Sequence, residues 1–73
     1  MEVCFETEYV KLQQFLKLAN VVSQGSDAKI LILQGGIKVN GESENRRGRK
    51  IYDGYTVEVD GKVYNAVRNG NQS

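Results

Sequence analysis

The chain has 73 residues, and its ten Lys and Arg against nine Asp and Glu leave a formal net charge of only +1. This balance points to no particular partner, and because no apolar run approaches the roughly 20 residues that cross a bilayer, we expect no membrane association. The chain lacks histidine and has one cysteine, which excludes a Cys–His catalytic pair, an intrachain disulfide and a structural zinc cluster. We expect one small cytoplasmic domain that needs no metal or cofactor.

The first third of the chain predicts a strand followed by a helix. Alternation of polar and apolar residues around Val3 and Phe5 indicates a short strand with one exposed face. Thr7 can cap a helix, and the residues after it place apolar side chains at helical spacing, at Leu12, Phe15, Leu16, Ala19 and Val22. We therefore expect a helix over residues 8–20, with Lys11 on its polar side and facing away from the hairpin that follows.

A second helix is predicted over residues 27–34, because Ser26 can cap its start and a Gly-Gly pair can end it. The Ile-Leu-Ile-Leu run inside this segment also fits a buried strand, and periodicity alone leaves both alternatives open. The end signals favour the helix. Lys29 would then lie in its first turn, where the helix dipole disfavours a cation unless an anion is bound nearby.

The second half of the chain predicts tight turns and short strands. Asn40-Gly41, inside an expected hairpin over residues 37–44, is typical of a type I′ turn, which needs positive φ at both central residues. Asp53-Gly54 and Asp60-Gly61 mark two further turns between alternating segments. This half should therefore form an antiparallel meander.

Together these elements predict the fold class α+β, with two helices packed on a small antiparallel sheet of hairpins. We expect residues 1–67 to form a single domain. Residues 68–73 are polar and without periodicity, so we expect a disordered tail there.

Basic residues are concentrated in one short run that contains Arg46, Arg47, Gly48, Arg49 and Lys50. By itself, such a run fits a solvated surface as well as a nucleic-acid site. Guanidinium groups pair with phosphate oxygens in a bidentate way, and a glycine lets the backbone approach phosphate closely. Lys29 and Lys38 would extend the same positive surface, and this favours a nucleic-acid partner.

Other candidate groups have plainer interpretations. Glu42 and Glu44 share a face of a predicted strand beside the basic run, which should keep both carboxyl groups ionised. We interpret them as surface carboxylates that balance arginines and not as an acid–base pair. The four tyrosines are more typical of packing than of base stacking, and Tyr52 is the one nearest to the basic run.

Three stretches carry a resemblance to a known family: Ala28-Lys29 in the second helix, residues 36–42 (GIKVNGE) and residues 46–51 (RRGRKI). In this order they resemble the S-four RNA-binding domain, or alpha-L motif, and most closely its small free-standing bacterial YaaA/YbcJ type. The resemblance covers about residues 3–64. By position, it implies RNA contacts from Lys29, Lys38, Arg46, Arg47, Arg49 and Lys50, with Ser26 and Gln24 as possible hydrogen-bond donors.

The function that we expect is recognition of structured RNA, namely ribosomal RNA or a ribosomal particle, by a basic face formed by the second helix and the following hairpin and loop. Larger relatives attach the module to a catalytic domain. We expect none here, so the chain should bind RNA without modifying it and should take no small-molecule substrate. The alternative is a small protein–protein interaction module that docks an acidic partner. Alanine at Arg46, Arg47, Arg49 and Lys50 is expected to leave the fold intact and remove RNA binding.

Overall fold

Two helices and a five-stranded sheet form the main body of the protein, and a two-stranded ribbon lies beside them. The computed structural model describes residues 1–69. In chain order the elements are β1 (Glu2–Phe5), β2 (Tyr9–Lys11), α1 (Leu12–Leu18), α2 (Gly25–Leu33), β3 (Ile37–Val39), β4 (Glu42–Ser43), β5 (Lys50–Tyr52), β6 (Thr56–Val59) and β7 (Lys62–Arg68). The predicted α+β class with two helices is confirmed.

The five-stranded sheet has the order β1-β7-β6-β3-β4. Its neighbours are antiparallel with one exception, because β1 pairs with β7 in parallel. The predicted antiparallel sheet of hairpins is confirmed, and the parallel β1–β7 pair adds a strand that the prediction did not include. Strands β2 and β5 pair only with each other and form the β2–β5 ribbon.

A single core joins the inner face of the sheet to both helices. The strands contribute alternate residues, such as Ile37 and Val39 of β3, while α1 contributes Leu12, Phe15 and Leu16, which are fully buried. Burial of each such side chain stabilises the fold by about 1.5–3 kcal/mol. Since isolated helices this short are marginal in water, packing against the core is what holds α1 in place.

The first helix is shorter than predicted. Tyr9, Val10 and Lys11 are extended and pair with β5, so α1 begins only at Leu12. Tyr9 and Val10 favour strands, and a pairing partner about 40 residues later in the chain is invisible to helical periodicity. Thr7 is not the cap: its hydroxyl donates to the Tyr9 carbonyl over 2.7 Å.

The second helix confirms the choice of helix over strand, although it starts earlier than predicted. Its first residue is Gly25 and its N-cap is Gln24, which makes no side-chain capping bond, so the assignment of Ser26 as the cap is wrong. Lys29 is consequently the fifth helical residue, beyond the first turn in which the dipole acts most strongly. The helix ends as predicted, since Gly35 has a φ of 82°.

The Asn40-Gly41 turn has positive φ at both residues, 53° and 86°, as a type I′ turn requires. The Asn40 side-chain oxygen also accepts a hydrogen bond of 2.9 Å from the backbone N–H of Thr56, which ties the turn to β6. This hairpin places Lys38 on the outer face of the sheet, opposite Glu58 of β6.

The last strand extends past the boundary expected at residue 67. Arg68 ends β7 and pairs with Phe5, and the N–H of Asn69 donates to the Phe5 carbonyl over 2.6 Å. The rest of the expected tail, residues 70–73, lies outside the described residues. Neither helix within residues 1–69 is long and apolar enough to cross a membrane.

Candidate nucleic-acid interface

Residues 46–50, which we call the basic turn, are fastened to the start of α1. Within the turn, the N–H of Arg49 donates to the Arg46 carbonyl over 3.3 Å. The N–H groups of Leu12 and Gln13 then donate to the carbonyls of Arg49 and Arg47, at 2.8 and 3.2 Å. These are helix N–H groups that need an external partner, so the basic turn replaces the missing side-chain cap.

Glu44 is the anchor of the basic turn. Its side chain is only 7% exposed, so the prediction of a surface carboxylate is wrong. One carboxylate oxygen accepts hydrogen bonds from the backbone N–H of Asn45 and from the backbone and Nε of Arg46, at 3.0–3.1 Å. The other accepts from Nη2 of Arg46 at 3.2 Å and from Nη1 of Arg49 at 2.7 Å. One buried acid thus fixes two arginines.

The same contacts set the protonation state of Glu44. Side-chain hydrogen bonds from Arg46, opposed in part by burial and reinforced by Arg49, lower the pKa of Glu44 from 4.5 to about 2. The expectation that the basic run keeps this carboxyl group ionised is confirmed. Reciprocally, the Glu44 carboxylate raises the pKa of Arg46.

The outer face of the β2–β5 ribbon continues the positive surface. Lys11 lies directly opposite Lys50, and Tyr9 directly opposite Tyr52, while the intervening Val10 and Ile51 point into the core. Side chains at alternate positions of paired strands share a face, so both lysines and both tyrosines lie on the outside. Lys11 was predicted on a helix and facing away from the hairpin, but it lies on a strand beside Lys50 of the basic turn.

Three tyrosines form a row across this surface, and cations stand at both ends of it. The ring centroids of Tyr9 and Tyr52 are 5.5 Å apart, and those of Tyr52 and Tyr55 are 5.7 Å apart. Nζ of Lys50 lies 4.9 Å from the Tyr9 centroid, and the Arg49 guanidinium carbon 5.9 Å from the Tyr55 centroid. Both distances are within the range of cation–π attraction.

A shallow cavity of about 490 Å³ opens between the basic turn and the tyrosine row. Its lining consists of Arg46, Gly48, Arg49, Lys50, Tyr52 and Tyr55. The surface thus combines fixed guanidinium groups, an ammonium group and aromatic faces, a combination suited to phosphates and bases. Within residues 1–69, no group of three or more cysteine or carboxylate side chains is placed to hold a metal ion.

The structure does not gather all of the predicted site residues at this cavity. Lys29, Ser26 and Gln24 are exposed on or beside α2, which contributes no residue to the cavity lining. Lys38 projects from the sheet face that is turned away from the helices. Of the basic turn, Arg46, Arg49 and Lys50 line the cavity, and Arg47 is exposed on the same turn outside the lining. The other four predicted residues lie away from the cavity.

Sequence reasoning missed the positions of Lys11 and Tyr9 beside the basic turn, because they depend on the pairing of β2 with β5. It also missed Tyr55 in the cavity lining. It also missed the structural role of Glu44. A signal for that role exists in the sequence, since arginines follow Glu44 at the second and fifth positions, within reach of one carboxylate.

The family model described as "S4 domain" matches residues 3–67 of this chain. Among curated relatives, "Probable ribosome maturation protein RlbA" of Bacillus subtilis is 46% identical over 59 residues, which are 81% of this chain and 83% of the relative. "Putative RNA-binding protein YbcJ" of Escherichia coli is 42% identical over 59 residues, covering 81% of this chain and 84% of the relative.

Solved structures are similar as well. The solution structure of YbcJ from Escherichia coli, described as revealing an alfaL motif involved in RNA binding, has a TM-score of 0.70 and 34% identity, covering 90% of this chain and 85% of YbcJ. The 30S ribosomal protein S4e from Thermoplasma acidophilum has a TM-score of 0.63 at 19% identity, over 82% of this chain and 32% of S4e, which shows a common fold alone.

Proposed function

The chain belongs to the S4 domain family, and from this we propose that it binds structured RNA through the basic turn and the outer face of the β2–β5 ribbon. The resemblance expected from the sequence is confirmed by the family match and by the similarity to YbcJ. The structure of YbcJ is described as carrying a motif involved in RNA binding, and this chain shares its fold.

The observation that carries the proposal is the anchored cluster of charge. Residues 44–50 hold four basic side chains against the single carboxylate of Glu44, which leaves an excess of three positive charges on one short loop. Hydrogen bonds hold Arg46 and Arg49 in one geometry before any partner arrives. Pre-organised guanidinium groups lose less conformational entropy on pairing with phosphate, so binding is tighter.

We propose that exposed Arg47 and Lys50, with Lys11 beside them, make phosphate contacts together with the free edges of Arg46 and Arg49. A larger RNA that extends beyond the cavity would also contact the outlying residues Lys29, Lys38, Ser26 and Gln24. Such contacts fix position and depend on the shape of the RNA more than on its base sequence.

We further propose that the RNA is ribosomal and that the protein acts on it by binding, in the cytoplasm, without chemical modification. The name of the Bacillus subtilis relative refers to ribosome maturation, and that relative matches this chain over 81% of its length. Shape-dependent recognition suits ribosomal RNA, which is rich in folded single-stranded and helical junctions.

The test compares three double variants that each remove two positive charges: Arg47→Ala/Lys50→Ala at the proposed site, Lys29→Ala/Lys38→Ala at the outlying positions, and Lys17→Ala/Lys62→Ala as the control. Arg46 and Arg49 are left in place, because their removal would leave the buried Glu44 carboxylate unpaired. Because of these contacts we now expect alanine at all four basic-turn positions to destabilise the fold, unlike the expectation from the sequence.

Binding of total cellular RNA is measured across a salt series and the retained RNA is sequenced. We expect the first variant to lose most retention and to lower the log–log salt slope by about 1.5–2, since each phosphate that the protein no longer neutralises lowers it by roughly 0.7–0.9. The control should bind like the unmodified protein. If the control variant loses as much RNA retention as the first variant, the proposed site is refuted. If the unmodified protein shows no salt-dependent retention, RNA binding is refuted. If the retained RNA is not enriched in ribosomal RNA, the ribosomal target is refuted.

A further inference from the structure

The tyrosine row leaves part of each ring open to solvent. Tyr9 and Tyr52 are half-buried on the outer face of the ribbon, whose inward-facing residues Val10 and Ile51 lie in the core. Tyr55 follows the ribbon in the chain, is half-buried as well and packs partly against the core. Ring contacts of 5.5 and 5.7 Å hold the three side chains against one another. Their faces are thus fixed in position and partly open to solvent.

Two cations flank the tyrosine row. Lys50 stands over Tyr9 and Arg49 over Tyr55, so the middle ring, Tyr52, is the one without a cation stacked on it. Tyr52 and Tyr55 also line the cavity, together with Arg46 and Gly48. A Cβ in place of the Gly48 hydrogen would meet no atom within 4 Å, so the space beside Gly48 is open.

We propose that the cavity holds one unpaired nucleobase, stacked on Tyr52 and bordered by Tyr55, while the phosphates on either side of that base contact Arg46 and Lys50. This deepens the proposed function and rests on it: the preferred RNA contains a bulge, loop or end next to a helix. Bases inside an A-form helix are stacked on their neighbours, so only an unpaired base can present its face to a tyrosine.

The charge pattern favours a nucleotide over an acidic peptide. A carboxylate gains from the cations but gains nothing from an aromatic face, since the ring face is electron-rich. A nucleotide uses both, because the base stacks and the phosphate pairs with the cations. The cavity volume of about 490 Å³ is also within the range of roughly 300–1,000 Å³ typical of ligand pockets.

The experiment uses a blunt RNA duplex and the same duplex with one bulged adenosine, titrated into the full chain and two variants, Tyr52→Leu and Tyr52→Phe. We expect the unmodified protein to prefer the bulged RNA. Tyr52→Leu should weaken binding of the bulged RNA about 5- to 150-fold, the range expected when one base no longer stacks, and should weaken duplex binding much less, so that the preference for the bulge is lost while the salt slope stays the same. Tyr52→Phe keeps the ring and should keep the preference.

A spectroscopic signal gives a second readout. The chain has four tyrosines and no tryptophan, so its intrinsic emission reports on tyrosine alone, and three of the four are in the row. The bulged RNA should quench this emission more strongly than the duplex does. If Tyr52→Leu lowers thermal stability, Tyr55→Leu replaces it in the same comparison.

The outcomes separate this inference from the proposed function. Equal affinity for both RNAs, or an equal loss for both in Tyr52→Leu, would overturn the base pocket and leave RNA binding intact. Failure of both RNAs to bind in a salt-dependent way would overturn the proposed function itself. Polyglutamate of the same total charge as the bulged RNA serves as a competitor. If it displaces the RNA, and if Tyr52→Leu does not change RNA affinity, the surface belongs to an acidic protein partner and the base pocket is overturned.

Discussion

Replacing Glu44 by Gln removes the negative charge beneath the basic turn and keeps the size of the side chain. In the folded protein this carboxylate accepts five hydrogen bonds, three of them from guanidinium nitrogens. A glutamine amide offers one oxygen acceptor, and its NH₂ group would face arginine donors. We therefore expect Glu44→Gln to loosen the turn and to destabilise the fold.

The size of the effect follows from the pKa of Glu44. A pKa lowered from 4.5 to about 2 corresponds to at most ~3.5 kcal/mol at ~1.4 kcal/mol for each pKa unit. Arg46 is 70% exposed, so solvent screens part of the interaction and we expect a loss of about 1–2 kcal/mol at pH 7. For a domain of this size, that is a decrease in Tm of about 5–15 °C.

The pH dependence of stability tests the electrostatic origin. Since the folded pKa of Glu44 is depressed, the stabilisation is complete above pH 4.5 and is lost as the pH falls from about 4.5 to about 2. Urea unfolding followed by circular dichroism should show the full difference between Glu44→Gln and the unmodified protein at pH 7 and almost none near pH 2.

The matched control is Glu42→Gln, an exposed carboxylate two residues earlier with the same change of charge. A surface substitution of this kind should change the free energy of unfolding by less than about 0.5 kcal/mol. If both variants are equally stable at pH 7, or if the Glu44→Gln deficit is as large at pH 2 as at pH 7, the reasoning is refuted.

The turns and the ribbon give three further predictions. Gly48→Ala should leave the free energy of unfolding unchanged, because the added Cβ would meet open space. It should weaken RNA binding if a phosphate comes close to the Gly48 backbone, and unchanged affinity in a filter-binding assay would contradict such a close contact. Gly41→Val should lower the free energy of unfolding by ~1–2 kcal/mol through its φ of 86°, and equal urea midpoints for it and Gly48→Ala would argue against this strain. Lys11→Ala should reduce RNA affinity and lower the salt slope by the amount expected for about one phosphate, whereas Lys17→Ala should not, and equal slopes would remove Lys11 from the interface.

Sequence reasoning succeeded where the determinants are local. The turn at Asn40-Gly41 and the stop at Gly35 depend on residues that tolerate positive φ, and such residues can be recognised without a tertiary context. It failed where distant segments meet. Tyr9–Lys11 became a strand because residues 50–52 lie beside it, and no pattern within the first twenty residues encodes that partner.

The candidate site divides in the same way. The basic turn could be recognised in the sequence from its composition. Its rigidity could not, because a glutamate this close to arginines in the sequence, as Glu44 is, is usually exposed and only weakly paired. The sequence could not settle where Lys29 and Lys38 lie on the surface. For Lys29, a shift of a few residues in the helix start changes the direction of the side chain, and for Lys38 the direction depends on which face of the strand is buried.

The parallel pairing of β1 with β7 also governs when the protein can fold during its synthesis. Glu2 pairs with Asn65 and Phe5 with Arg68, so β1 has no partner in this sheet until about sixty further residues have been made. The backbone groups and apolar face of β1 must stay open through that interval, and such long-range closure slows folding. In a nascent chain the five-stranded sheet therefore stays incomplete at its β1 edge until β7 has been made.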